Sequence, residues 1–271
     1  MTEILHVLDA RMERPGMYGV FHLTAFALMI VIAALLCAKG RNAKDKTFRK
    51  ICVIFWIILF LFETYKQINF SFNYNDGSPY WDYQWYAFPF QSCSAALYVL
   101  PLVFLSKPDS ALRKAAASYL AFYSLFGGIA VMLYPSTVFI TVIGINIQTM
   151  VWHGSQVIIG IYFIAYYRKQ LGLRFFAAGI PVFVGLVGVA MALNMIVPSF
   201  TDETFNMFYV SPKFESTLPL LDMVWKNTPW PVFFMIYLFG FTLAAFLVYL
   251  AAKGVLRLSG KKKAASEEQA A

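Results

Sequence analysis

Residues 88–101 read Phe88-Pro89-Phe90-Gln91-Ser92-Cys93-Ser94-Ala95-Ala96-Leu97-Tyr98-Val99-Leu100-Pro101. This stretch is apolar enough to enter a bilayer, yet Gln91, Ser92, Cys93 and Ser94 stand together behind a proline. In hydrocarbon every unpaired polar group is costly, so other polar residues must face them. The polar stripe around His153 is the expected partner, and the two together imply a pocket open to lipid.

The rest of the chain is of the same kind. Of its 271 residues 60% are hydrophobic, 18% aromatic and only 13% charged, which marks an integral membrane protein. The formal net charge of +8 falls in short Lys/Arg blocks between apolar runs, a topogenic pattern rather than a nucleic-acid footprint. No removable signal peptide is read at the start. Cys37, Cys52 and Cys93 lie in or at the ends of apolar runs without CxxC spacing, and His6, His22 and His153 make no ligand pair. Neither a disulfide framework, a metal centre nor a cofactor site is expected.

Seven apolar segments approach the ~20 residues that cross ~30 Å of hydrocarbon: residues 18–38, 51–70, 86–106, 115–134, 147–167, 175–197 and 231–251. Apolar character before the fifth begins near Val138, so 137–146 reads as a tilted extension or a partly inserted turn. Loops after the first, third, fifth and seventh segments hold 17 Lys and Arg, against 4 on the other side. The positive-inside rule then sets the N-terminus outside and the C-terminus in the cytoplasm. The expectation is an all-α, seven-transmembrane-helix bundle. Its parts are an extracytoplasmic segment (1–17), a transmembrane domain (18–257) and a disordered cytoplasmic tail (258–271). A bacterial plasma (inner) membrane is the expected location.

Loop 71–85 lacks Lys and Arg but holds Tyr74, Tyr80, Trp81, Tyr83 and Trp85, rings suited to the outer interface. Loop 198–230 is long and partly apolar, and is expected to fold back over the outer mouth. Gly127, Gly128, Gly185 and Gly188 offer small faces for helix packing.

At ~1.5 Å per helical residue, Glu63, Cys93 and His153 all lie about 10 Å below the outer surface. Glu63, Lys66 and Gln67 share one helical face, and Asn146, Thr149, His153 and Gln156 share another. A thiol becomes a nucleophile when a base takes its proton and a third group orients that base. Cys93 and His153 supply the pair, with Gln156 or Glu63 as orienter; Lys66, Gln67, Gln91 or Ser92 are candidate oxyanion donors. His22 is a competing base, set slightly shallower. A lipid ester is the substrate within reach at that depth, and acyl transfer is the reaction that fits.

At these residues the chain resembles the YwaF family of integral membrane proteins, bacterial relatives of a eukaryotic transmembrane phospholipid acyltransferase. A more distant similarity runs to the androgen-induced membrane hydrolases. The residues that carry it are Phe88 to Cys93, Trp152-His153-Gly154, Glu63 to Gln67, Asn206-Met207-Phe208-Tyr209 with Pro212, and Leu220-Leu221-Asp222 leading to Thr228-Pro229-Trp230-Pro231. The resemblance implies a seven-helix bundle, with Cys93 as acyl-accepting nucleophile and His153 as base.

Two readings follow. One is a Cys93/His153 acyltransferase or acyl hydrolase acting on outer-leaflet phospholipid or lysophospholipid, with Glu63, Lys66, Gln67, Gln91, Ser92, Asn146, Thr149 and Gln156 around the site. The other is a lipid or small-solute binding or transport protein using the same cavity without chemistry. A retinal protein is disfavoured because the last span has no lysine, and a channel because the inner halves of the spans lack a continuous polar path.

Overall fold

A computed structural model describes residues 2–269. Among the described residues nine helices follow one another: α1 (Thr2–Leu8), α2 (Val20–Gly40), α3 (Asp45–Asn69), α4 (Ala95–Leu105), α5 (Ala111–Leu133), α6 (Ile143–Tyr166), α7 (Leu173–Ser199), α8 (Leu221–Asn227) and α9 (Trp230–Gln269). Among the described residues five of these, α2, α3, α5, α7 and α9, are long and apolar enough to cross a membrane. The molecule is therefore a helical membrane protein, though fewer helices meet that standard than the seven the sequence suggests.

The two missing ones differ for separable reasons. Helix α6 has 24 residues but is diluted by Asn146, Gln148, Thr149, His153, Ser155 and Gln156. It can carry them because it runs through the centre, packed against α2, α3 and α5, and is buried without interruption from Trp152 to Gly160. A helix screened by its neighbours need not be apolar all round. The third segment, expected as one helix over 86–106, is helical only from Ala95 and has 11 helical residues. Before it come a 3₁₀ turn at Trp85–Ala87 and an irregular run through Ser94. Pro89 supplies no N–H, and Ser92 and Ser94 favour local side-chain bonding over helix.

The fold is helical throughout its spans, and loop 71–85 adds one short hairpin in which β1 (Phe72–Asn75) and β2 (Ser78–Trp81) pair antiparallel, Phe72 opposite Trp81. Asp76 and Gly77 close this hairpin at φ 47° and 77°, the left-handed pair that a two-residue turn demands. The Tyr74 hydroxyl donates to Leu5 O, tying the hairpin to α1. The N-terminal chain then runs to α6, where Arg11 bridges Val142. Residues 137–146 thus form a pinned turn and the start of α6, with the Asn146 amide bracketing both backbone groups of Ile140 at 2.9 and 2.8 Å.

Aromatic packing closes the opposite end. Phe48 lies among Tyr162, Phe163, Tyr166 and Tyr167, with the buried Arg113 guanidinium 4.8 Å from its ring centre. Asp45 pairs with Arg113 and Arg49, both at 2.6 Å, which joins α3 to α5. Helix α5 takes a π turn at Leu120–Ser124, all five residues buried against α6. A Cβ on Gly128 would stand 2.9 Å from Gln156 Cβ and His153 O, so close approach requires glycine there. The packing expected of Gly127, Gly185 and Gly188 is not found, since a Cβ on any of them meets open space. Past Leu258, where an unstructured tail was expected, α9 continues to Gln269 through helix-favouring Lys, Ala and Glu.

Candidate functional site

The irregular turn before α4 is held against α6 by its main chain. Trp152 Nε1 donates to Cys93 O at 3.0 Å, and Gln156 Nε2 donates to the same oxygen. Trp152 and Gln156 are one helical turn apart, so a single face of α6 grips the residue that carries the thiol. His153 borders that face. Its Nδ1 lies 2.8 Å from Thr149 O, and a carbonyl can only accept, so Nδ1 carries the proton and Nε2 holds the lone pair. Nε2 makes no hydrogen bond among the described residues.

His22 is arranged differently. Its Nδ1 accepts from Tyr18 N at 3.0 Å, which forces the proton onto Nε2, and Nε2 donates to Met132 O at 2.9 Å. Both nitrogens are committed, so the competing base has no lone pair left. The orienter of His153 is likewise corrected: it is the Thr149 carbonyl, because Gln156 is bound to Cys93 O and Glu63 to its own neighbours. Thiol and imidazole make no hydrogen bond to each other among the described residues.

Lys66 Nζ pairs with Glu63 Oε1 at 2.8 Å, both side chains largely buried. Gln67 Nε2 donates to the same carboxylate oxygen and to Ala87 O, each at 2.8 Å, while its Oε1 accepts from the Tyr83 hydroxyl at 2.8 Å. Glu63 Oε2 is occluded without a partner. Gln67 is thus a brace between α3 and loop 71–85.

Loop 198–230 does fold back on the turn. Asn194 clamps Met207 through both backbone groups, at 2.9 and 2.7 Å, and Asn206 holds Ser211 N, Phe214 O and Glu215 O. From the other side Gln91 donates to Asn206 O at 3.3 Å and accepts from Phe208 N at 3.2 Å. Gln91 therefore fastens this strap rather than facing an oxyanion. Ser92, half-buried, makes no side-chain hydrogen bond among the described residues. Phe208 and Tyr209 both adopt positive φ, 57° and 58°, a strained pair for bulky residues. Asn194 and Asn206, which hold this strap, were not singled out as site residues from the sequence. The Asn206-Met207-Phe208-Tyr209 run, read only for its resemblance, is the sequence signal that lay over the strap.

Two clefts open among these helices, and neither counts Cys93 or His153 in its lining. One of about 590 Å³ opens between α2, α3 and α6 and is almost wholly apolar, lined by Phe21, Leu28, Met29, Phe55, Met150 and Gly154 among others. The second, about 540 Å³, lies between α3, the hairpin and the start of α4, and includes Glu63, Gln67, Trp81, Pro89 and Tyr98. No three His, Cys, Asp or Glu side chains gather closely enough to hold a metal among the described residues.

A family model described as the TMEM164 family matches residues 17–251, which takes in every residue of the site. No curated protein and no solved structure matches the chain.

Proposed function

The chain belongs to the TMEM164 family, a family of transmembrane proteins, and from that premise we propose a membrane-embedded acyl transferase or hydrolase acting on phospholipid esters through Cys93 and His153. In this reading the bundle makes seven crossings, α4 and α6 included, with the N-terminus outside and the tail in the cytoplasm of a bacterial plasma membrane. The Cys93 sulfur adds to the ester carbonyl as its proton passes to His153 Nε2. The carbon–oxygen bond then breaks, and the departing alkoxide of the lysophospholipid takes that proton back. An acyl thioester remains on Cys93. An acceptor hydroxyl, from another lysophospholipid or from water, gives its proton to Nε2 and attacks the thioester, and the thiolate leaves and is reprotonated.

The observation that carries this reading is the tautomer of His153: its Nδ1–H is held by Thr149 O and its Nε2 is left without a partner, beside the α6 face that grips Cys93. General-base catalysis needs that division between an oriented nitrogen and a free one. The apolar cleft between α2, α3 and α6 favours the second reading, a lipid-binding protein without chemistry. The two part on one variant. Purified protein in vesicles containing a phospholipid with a labelled acyl chain, plus a lysophospholipid acceptor, is expected to move the label. Cys93→Ala is expected to lose about 10² or more of that rate. Transfer unchanged in Cys93→Ala would end the role of Cys93, and no transfer or hydrolysis by the wild type above protein-free vesicles would end the acyl-transfer reading and leave the binder.

A further inference from the structure

Helix α6 has two working faces. Trp152 and Gln156, which hold Cys93 O, lie on one of them. Ile147, Met150, Gly154 and Ile158 recur every three or four positions and fall on the other side of the helix. That side lines the cleft of about 590 Å³ between α2, α3 and α6.

The cleft has the length of one leaflet. Its lining runs from Phe21 to Ile32 on α2 and from Ile147 to Ile158 on α6. Each run covers about three helical turns, or about 16 Å, close to half of the ~30 Å of hydrocarbon in a bilayer. Both runs begin near the hairpin-side ends of their helices, and Phe55 and Ile58 enter from the middle of α3. Toward the other side the slot is closed. Tyr162 OH donates to Gly40 O at 3.3 Å, and a Cβ on Gly40 would stand 2.8 Å from the Tyr162 ring.

The chemistry of the lining selects the occupant. Its only polar side chains are the hydroxyls of Thr24 and Ser155, with no charged or amide group among them. A phosphate, amine or sugar finds nothing to hold it there, and water lacks the several polar partners it needs. Hydrocarbon gains dispersion contacts from every wall, and the unbranched side chains of Met29 and Met150 adapt to a flexible chain. The rim is open sideways: Leu28 and Ile32 are 57% and 45% exposed, so the slot is continuous with the lipid-facing surface of α2.

We propose that this slot holds one acyl chain of a phospholipid from the leaflet on the hairpin side, extended along α2 and α6, at a place separate from Cys93 and His153. The headgroup stays at the membrane surface. The proposal rests on the lipid-binding reading above, to which it gives a ligand and a location. It stands equally beside acyl transfer, because no residue of the slot takes part in that chemistry.

The experiment places the full chain in phosphatidylcholine vesicles containing a small fraction of phosphatidylcholine with a photoreactive diazirine midway along one acyl chain. Adducts formed on irradiation are mapped by peptide mass spectrometry. The expected result is labelling of the slot residues of α2 and α6 about tenfold above that of Val189, an exposed residue of α7. Ala25→Trp on α2 and Ile58→Trp on α3 intrude from different walls, and each should lower slot labelling about tenfold while labelling of α7 is unchanged. Cys93→Ala should label as wild type does. Wild-type labelling of the slot no denser than that of α7 would overturn the proposal, whatever the variants do. So would slot labelling that stays within about threefold of wild type in both Trp variants. A free fatty acid with the same diazirine labelling the slot better than the phospholipid would also overturn it. Acyl transfer is measured in the same vesicles, so failure of the slot leaves that reading standing, and absence of transfer leaves the slot.

Discussion

The surroundings of His22 on α2 and of His153 on α6 make an instructive pair. Both imidazoles are buried, at 1% and 6% exposure, and both are hydrogen-bonded to backbone. The first is closed: Tyr18 N and Met132 O take its two nitrogens, and the rings of Tyr18, Phe26 and Phe139 surround it. The second is half-open, with one nitrogen held by its own helix and the other unclaimed. Residue type and depth are nearly the same. The difference lies in which carbonyls and amides the local backbone brings up, and it separates a histidine that staples helices from one able to move a proton.

The largest effect expected from that difference is on chemistry. His153→Ala should lower acyl transfer by about 10²–10⁴, the usual span for losing a general base, with little change in unfolding. His22→Ala should leave the rate per folded molecule unchanged. Equal rate losses in the two variants, measured in vesicles, would erase the distinction.

Lys66 gives the next contrast, because it forms a largely buried ion pair with Glu63 on α3. Lys66→Met strands Glu63, which already has one occluded, unpartnered oxygen, and should cost about 3–5 kcal/mol of stability. The double replacement Glu63→Gln with Lys66→Met should recover most of it, read from denaturant midpoints. A double variant no better than the single would mean that the pair is not what holds this part of α3.

His22→Ala comes third. Removing two buried hydrogen bonds and leaving Met132 O and Tyr18 N unpaired should destabilise by about 1–3 kcal/mol. The smallest test uses glycines. Gly128→Ala pushes on His153 O and Gln156 and should cost about 1–3 kcal/mol, whereas Gly188→Ala meets open space and should gain up to about 1 kcal/mol. Thermal midpoints of the two variants on the same side of wild type would contradict the close approach of α5 to α6.

Much of this was legible in the chain. Hydropathy located the long helices but joined 86–106 into one span, because the apolar run is continuous there; the backbone breaks where Pro89 and the polar residues after it stand. The 3.6-residue spacing of Thr149, His153 and Gln156 put them together on the helix that proves central. What periodicity could not assign was hydrogen-bond partners, because these are backbone groups in irregular segments: Cys93 O for Gln156, Ile140 for Asn146, Asn206 and Phe208 for Gln91. A side chain that reads as pocket-lining from its spacing can be consumed in satisfying a turn. The positive φ of Phe208 and Tyr209 was hidden for a related reason, since neither residue type announces that backbone conformation.

The most direct measurement is the intact mass of the protein after exposure to phospholipid vesicles under conditions that slow the second step. The expected result is an added mass of one acyl chain, mapped to Cys93, released by hydroxylamine at neutral pH, absent from Cys93→Ala and greatly slowed in His153→Ala. No acyl adduct on Cys93, under conditions where the same preparation turns over or tightly binds phospholipid, would contradict it.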